Sequence, residues 1–122
     1  MAIEIPGFNP GCFKAKQSLV DQQFRGVYLS GNFEIDKVTD GTKAANAIGV
    51  LQDKPLLGEG GNVMTNGITK AEAHSTTTAG DKVKYHTDGT LVTTVSGRYN
   101  GIALEGAEAS QIFSMLFESG SL

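Results

Sequence analysis

The amino-acid sequence predicts an all-β protein, a small β-barrel or β-sandwich of short antiparallel strands with an extended N-terminal arm. Apolar and polar residues alternate with a period of two in several short runs, which is typical of strands with one buried face. Turn dipeptides that contain glycine separate these runs about every 8 to 12 residues. The chain has 122 residues, of which 16 are glycine, and only 19% are charged. A single domain rich in strands and tight turns is therefore expected.

Residues 1–22 are predicted to form the arm, and residues 23–122 the single β domain. Two prolines and two glycines interrupt any regular element at the start of the chain, yet apolar side chains lie among them. Apolar residues in an irregular segment have to be covered, either by their own domain or by a neighbouring molecule. We expect contact with a neighbour, and the candidate contact residues of the arm are Ile3, Ile5, Phe8 and Phe13.

The first half of the domain contains three predicted strands. Alternation predicts two of them on either side of a turn at residues 30–32, and the second ends before Asp40 and Gly41. Residues 42–47 have good helix propensity and are the expected place for any short helix. Residues 48–51 predict a third, buried strand.

A glycine-rich loop is predicted at residues 58–62. No Gly-Lys-Ser or Gly-Lys-Thr sequence follows its glycines, and the nearest lysine, Lys54, precedes them. The pattern therefore does not predict a phosphate-binding loop. We expect a flexible loop that is available to a neighbouring molecule, and its candidate contact residues are Gly58, Gly60 and Asn62.

The second half of the domain is predicted to contain hairpins. Asn66 followed by Gly67 is a strong hairpin signal, and Asp88 followed by Gly89 gives a second tight turn. The last strand has two phenylalanines that also fit a helical spacing, but the alternation favours a strand. The predicted strands lie at residues 63–64, 68–73, 82–86, 91–95, 102–104 and 111–118.

Two segments of the chain resemble each other. Residues 31–42 and residues 80–90 both end in Thr-Asp-Gly-Thr, and each is followed by an apolar strand that contains glycine. Duplication of a hairpin and a buried strand would favour a barrel or sandwich over an open sheet. Chance remains an alternative, because Thr-Asp-Gly-Thr is favourable turn chemistry.

No residue pattern predicts catalysis, a cofactor or a bound metal. His74 and His86 lie on different segments and would need carboxylates brought in by the fold to bind a metal, so surface or turn positions are expected for both. Cys12 is the only cysteine and lies in the arm, where a preorganised nucleophile is difficult to hold. A Gly-x-Ser-x-Gly sequence is absent. We therefore expect that the protein is not an enzyme.

Charge and hydropathy exclude further classes of partner. The formal net charge is −3, whereas proteins that bind phosphate backbones usually carry a basic excess, so no direct contact with nucleic acid is expected. Apolar runs are too short for a membrane-spanning helix. The first ten residues lack the basic and apolar regions of a secretory leader, so export is not expected.

Residues 48–122 resemble a family of small head-decoration, or capsid cement, proteins of tailed bacteriophages. The order of several short features carries this resemblance, although each feature is common in β proteins. In chain order they are Gly49-Val50, Gly80-Asp81 before an alternating strand with Val83 and Tyr85, the Asp88-Gly89 turn, Gly101-Ile102-Ala103-Leu104, Glu105-Gly106-Ala107 and a closing apolar strand.

The resemblance implies a structural virion protein without catalytic residues or a cofactor. Proteins of this family assemble, usually as homotrimers, on the outer surface of the mature head after synthesis in the host cytoplasm. They contact several subunits of the major capsid protein at once and stabilise the capsid mechanically. The low charged fraction of this chain also favours association.

Two other functions are kept as alternatives. One is a different virion or cell-surface β module, such as a tail, neck or carbohydrate-binding domain, although tryptophan, which is common in sugar sites, is absent. The other is a barrel that binds single-stranded nucleic acid, in which Phe24, Phe33 and Tyr85 would stack on bases. The negative net charge disfavours it.

Overall fold

The computed structural model describes residues 13–122 of the chain. In this range the protein is all-β, as predicted, with eleven strands in two sheets and one short helix. The helix, residues 41–45, is too short to cross a membrane, and no other helix occurs in the described range. The elements are β1 (Phe13–Ala15), β2 (Gly26–Gly31), β3 (Glu34–Lys37), α1 (Gly41–Ala45), β4 (Ala47–Leu51), β5 (Gly60–Gly61), β6 (Val63–Met64), β7 (Ile68–Glu72), β8 (Lys82–Tyr85), β9 (Leu91–Thr93), β10 (Arg98–Ala103) and β11 (Ile112–Ser121).

The first sheet has the strand order β5-β1-β3-β2-β4-β6 and closes into a small barrel. Its two outer strands, β5 and β6, are consecutive in the chain and are separated only by Asn62. β5 pairs with β1 and β6 pairs with β4, so one bent segment occupies both edges of the sheet. Closure leaves no free edge for aggregation. The barrel interior holds Ala15, Leu19, Val27, Ile35, Leu51 and Val63.

The second sheet has the strand order β7-β11-β10-β8-β9, and its two outer strands meet at one end. Ala73, directly after β7, forms a parallel bridge with Leu91 at the start of β9. The backbone N–H of His74 donates to the Leu91 carbonyl at 2.9 Å. This seam closes the second barrel. Its core includes Ala71, Val83, Leu91, Phe113 and Met115.

Tyr85 joins the two barrels. Its side chain is almost completely buried, and burial raises the pKa of its hydroxyl. The ring lies directly over the backbone of Gly26 in β2, where an added Cβ would be 2.4 Å from ring atom Cδ1. The Gly26 N–H donates to the Gly89 carbonyl at 2.7 Å, so the β8–β9 hairpin is held against the first sheet. Arg25 and Glu72 add a bidentate ion pair between the barrels, with N to O distances of 3.1 and 3.2 Å.

The second barrel contains two units related by a local two-fold arrangement. Thr77 and Ala107 exchange both backbone hydrogen bonds, at 2.8 and 2.9 Å. The Gly80 N–H donates to the Ala103 carbonyl, and the Ser110 N–H donates in the same way to the Ala73 carbonyl. Residues 68–85 therefore correspond to residues 98–115.

This correspondence differs from the internal similarity predicted from sequence, which is wrong as a structural equivalence. The first Thr-Asp-Gly-Thr sequence starts α1, where the Asp40 side chain accepts from the Lys43 N–H at 2.8 Å. The second, with Asp88 and Gly89, forms the β8–β9 hairpin turn. The same four residues suit both places because Asp is favourable at a helix N-cap and in a tight turn.

Several sequence predictions hold in the structure. The short helix starts at Gly41, one residue before the predicted range of residues 42–47. Residues 112–121 form a strand rather than a helix, as the alternation predicts. Asn66 and Gly67 do not close a hairpin, however, because β6 pairs with β4 whereas β7 pairs with β11. The dipeptide instead links the two sheets. The β1–β3 pair is parallel, in contrast to the antiparallel strands that were predicted.

The structure places residues 13–22 in the β domain rather than in the arm. β1 lies between β5 and β3, and Leu19 is fully buried in the first barrel. The Leu19 N–H donates to the Pro55 carbonyl at 2.9 Å. Sequence periodicity does not reveal a strand of three residues such as β1. Ile3, Ile5 and Phe8 lie outside the described residues, so the arm at residues 1–12 stays a prediction.

Gly26→Ala is expected to lower the free energy of unfolding by about 1 to 3 kcal/mol, because the new methyl group would overlap the buried Tyr85 ring. Urea denaturation measures this loss. Gly41→Ala is the matched control, since nothing lies within 4 Å of its added Cβ, and it should leave stability unchanged or slightly higher. Equal stability of the two variants would contradict the close packing of the Tyr85 ring on Gly26.

Ser110→Gly is expected to stabilise the protein by about 1 kcal/mol, because Ser110 has a left-handed φ of 68°. Its counterpart Gly80 has a φ of 93° and open space around its Cβ position, so Gly80→Ser should cost about 1 to 2 kcal/mol through the backbone alone. Thermal denaturation of both variants tests the two-fold correspondence. Changes of the same sign in both variants would contradict it.

Candidate functional site

An apolar surface lies at the end of the first barrel. Val27 faces the barrel interior, and Leu29, two residues later on β2, lies on the same side of the strand. Leu29 is nevertheless 46% exposed, because no element covers this end of the sheet within the described range. The Phe13 and Phe33 rings lie beside it with centroids 6.1 Å apart. We call Phe13, Leu29 and Phe33 the aromatic rim, and they line a groove of about 250 Å³.

Phe33 is the most unusual residue of the aromatic rim. It is 67% exposed, and its φ is 50°. The left-handed region is unfavourable for a bulky side chain, and glycine or asparagine is usual there. The position therefore carries both backbone strain and exposed apolar surface. Neither contributes to folding, so folding alone does not account for a phenylalanine here.

The glycine-rich segment predicted as a contact loop lies beside the aromatic rim. Gly60 and Gly61 form β5 and pair with Lys14 and Phe13 of β1, so this part is a strand rather than a flexible loop. A close approach explains Gly61, because an added Cβ would be 3.2 Å from three side chains. The candidate residues Gly58, Gly60 and Asn62 are all exposed.

Two exposed leucines extend the apolar surface along the other end of β1. Leu56 is 53% exposed and Leu57 is 70% exposed. Their loop is fixed to β1, because the Gly58 N–H donates to the Ala15 carbonyl at 2.9 Å and the Ala15 N–H donates to the Glu59 carbonyl at 2.9 Å. The described chain begins at Phe13, inside the aromatic rim. The candidate residues Ile3, Ile5 and Phe8 lie outside the described residues.

A second group of functional side chains lies at the seam of the second barrel. His74 lies after β7, His86 directly follows β8, and Asp88 lies in the turn between β8 and β9. The centroids of the two imidazole rings are 3.7 Å apart with the ring planes inclined by 37°, and His74 Nδ1 is 3.8 Å from Asp88 Oδ2. The two histidines lie on different segments of the sequence, which predicts surface or turn positions for both. They are brought together by the closure of the barrel, which a sequence pattern does not report.

Thr90 orients this group. Its hydroxyl and backbone N–H both donate to Asp88 Oδ1, and the hydroxyl lies 3.2 Å from His74 Nδ1. Burial raises the pKa of the Asp88 carboxyl, but the hydrogen bonds from Thr90 and the two nearby histidines outweigh this effect. The pKa of Asp88 therefore lies below its ordinary value of 3.8. Asp88 is an anion at neutral pH, with Oδ2 facing the histidines.

Comparison with known proteins identifies the fold. Neither a protein-family model nor a curated protein sequence matches the chain. Among solved structures, it is similar to the crystal structure of the head fiber gp8.5 N base in bacteriophage phi29, with a TM-score of 0.65 and 21% identity. The two chains share a fold. The similarity covers 90% of this chain and 93% of that chain, so it includes both barrels rather than one of them.

Phe33→Asn is expected to change the free energy of unfolding by no more than about 1 kcal/mol. The variant loses the contact with the Phe13 ring, worth about 0.5 to 1.5 kcal/mol, but asparagine relieves a backbone strain of similar size. Phe113→Ala is the contrasting variant, because Phe113 is buried in the second core and its loss should cost about 3 to 5 kcal/mol. Chemical denaturation measures both. A large loss in Phe33→Asn would show that Phe33 serves folding.

Proposed function

We propose that the protein is a structural virion component that binds the outer surface of a phage capsid. In this proposal it contacts neighbouring subunits of the major capsid protein and stabilises the mature head, without catalysis or a cofactor. The observation that carries the proposal is the aromatic rim, above all the strained and exposed Phe33. The sequence resemblance to capsid cement proteins and the fold shared with the phi29 head fiber base support it.

The aromatic rim has the properties of a binding surface. Phenylalanine is enriched at the centres of protein interfaces, and burying one such side chain contributes about 1.5 to 3 kcal/mol. A residue that lowers the free energy of unfolding of the free protein can be retained when its contribution to the binding free energy is larger. Phe13 and Leu29 extend the contact on either side of Phe33, and the groove between them can accept an apolar side chain of a partner.

Attachment at several points explains how a small protein could stabilise a head. A contact of three side chains gives only a small interface. When several copies are linked in one oligomer, the first contact raises the effective concentration of the others, and the overall affinity increases. We propose a homotrimer, on the basis of the family resemblance and the low charged fraction. Separating two capsid subunits would then require breaking the contacts of the protein as well. A high-resolution map of decorated capsids with isolated single copies would contradict the trimer.

Phe33→Asn is expected to weaken capsid binding by about tenfold or more while the protein stays folded, since one buried phenylalanine corresponds to at least that change. The measurement is cosedimentation of purified protein with heads of the encoding phage that were prepared without it. Binding is quantified over a range of protein concentrations.

Val95→Asn provides the matched control for this experiment. Val95 is 89% exposed in the loop after β9, on the second barrel, and it is not part of the aromatic rim. This variant should bind heads like the wild type. Wild-type affinity of Phe33→Asn would contradict the rim as the attachment site, and weaker binding of Val95→Asn would place the contact on the second barrel.

Removal of residues 1–12 tests the arm separately. The deletion leaves β1 and the buried Leu19 in place, so the melting temperature is expected to remain close to that of the full chain. If the arm lies on a capsid neighbour, loss of Ile3, Ile5 and Phe8 weakens head binding by orders of magnitude. A much lower melting temperature with newly exposed apolar surface would instead show that the arm covers its own barrel.

A further inference from the structure

We propose that His74, His86 and Asp88 bind one divalent transition-metal ion of the zinc type at the seam of the second barrel. The three residues each offer one ligand atom, and these atoms all lie within 4.8 Å of one another. Two imidazoles and one carboxylate are a ligand set found in zinc sites, in which water completes the coordination. The proposal does not depend on the capsid function.

The fold brings the ligands together from separate segments. His74 is fixed by the hydrogen bond from its backbone N–H to the Leu91 carbonyl, at 2.9 Å. The His86 N–H donates to the Thr90 carbonyl at 2.7 Å, and the Gly89 N–H donates to the His86 carbonyl at 2.9 Å. The backbones of all three ligands are therefore positioned by the closed barrel and its hairpin before any metal binds.

The side chains are also partly oriented for binding. Thr90 occupies Asp88 Oδ1 through two hydrogen bonds, which leaves Oδ2 free and turned toward His74. The same hydroxyl is 3.2 Å from His74 Nδ1, so one residue restrains two ligands. In known metal sites, neighbouring groups commonly hydrogen-bond the ligand histidines and carboxylates and so fix their orientation.

The required adjustment is small. Bonds of about 2.0 to 2.2 Å in a tetrahedral site place ligand atoms about 3.3 Å apart. The side chains of His74 and Asp88 are 37% and 47% exposed, which leaves them room to rotate inward. The same exposure opens the site to an ion and its water from solvent.

The local charge favours a cation. Asp88 supplies a negative charge, and each imidazole offers a ring-nitrogen lone pair to a metal. Arg25 is a positive charge near Asp88, but the Glu72 carboxylate pairs with it at 3.1 and 3.2 Å. Its effect on an incoming cation is therefore largely cancelled.

A bound ion would strengthen the closure of the second barrel. It would connect the end of β7 to the turn between β8 and β9, and β7 and β9 are the two outer strands of this sheet. Among the described residues, the backbone contacts that join β7 to β9 at this seam are the Ala73–Leu91 bridge and the hydrogen bond from the His74 N–H to the Leu91 carbonyl. Any ligand that binds the folded form alone stabilises it, so the melting temperature should rise with zinc concentration.

The test uses the full chain without an affinity tag, after treatment with a chelator. Calorimetric titration with Zn²⁺ should give one ion per chain, and Co²⁺ should give the visible absorption of a tetrahedral site. His74→Gln, His86→Gln and Asp88→Asn should each lower the Zn²⁺ affinity at least about tenfold. Mg²⁺ should have no effect, because it prefers oxygen ligands.

Two matched variants control for other ligands. Glu118→Gln removes an exposed carboxylate at the far end of β11, and Cys12→Ser removes the only thiol, so both should keep the wild-type affinity. The proposal is overturned if the wild type shows no saturable Zn²⁺ binding, or if Cys12→Ser abolishes it. Nuclear magnetic resonance of the wild type avoids any folding defect of the variants. The ring signals of both histidines must shift together and saturate at one equivalent, and a shift of only one overturns the site.

Discussion

The contact between Tyr85 and Gly26 is the constraint on which the rest of the structure depends. One buried cluster lies inside the first barrel, and the other extends from the second barrel to Val38, Ala44 and Val50. Tyr85 belongs to this second cluster, and its ring packs against Gly26 because Gly26 has no side chain. This contact brings the β8–β9 hairpin against β2, and the Gly89 carbonyl then accepts from the Gly26 N–H. A larger residue at position 26 would separate the barrels. The same hairpin carries His86 and Asp88, so the packing of the two barrels also sets the geometry of the histidine cluster.

The buried residues and the proposed binding surface lie in different parts of the molecule. The fully buried residues lie inside the two barrels, whereas the aromatic rim leaves apolar surface and a strained phenylalanine at the outer end of the first one. A binding surface in this position can be substituted without loss of the cores, since β2 and β3 are held by their pairing on both sides. This separation makes the rim accessible to experiment, because a variant that fails to bind can still be shown to fold.

The two sheets close into barrels in different ways. In the first, β5 pairs with β1 and β6 pairs with β4, so this bent segment completes the ring through backbone hydrogen bonds. In the second, the outer strands β7 and β9 meet through a single bridge, so its seam has less backbone support. Side chains from both sides converge at that seam. A metal ion there would supply the cross-link that the hydrogen bonds of the first barrel provide without one.

The sequence by itself determined the all-β class, the short helix and most strands of the second barrel. These features depend on local chemistry, such as the alternation of Val83 and Tyr85 with lysines and the tight turn at Asp88 and Gly89. Only the tertiary structure decided that residues 13–22 belong to the barrel, that β6 and β7 join different sheets, and that Phe33 is exposed and His74 meets His86. Each of these features depends on pairing between segments that are far apart in the chain. The alternation of apolar and polar residues within one segment does not show which other segment it pairs with.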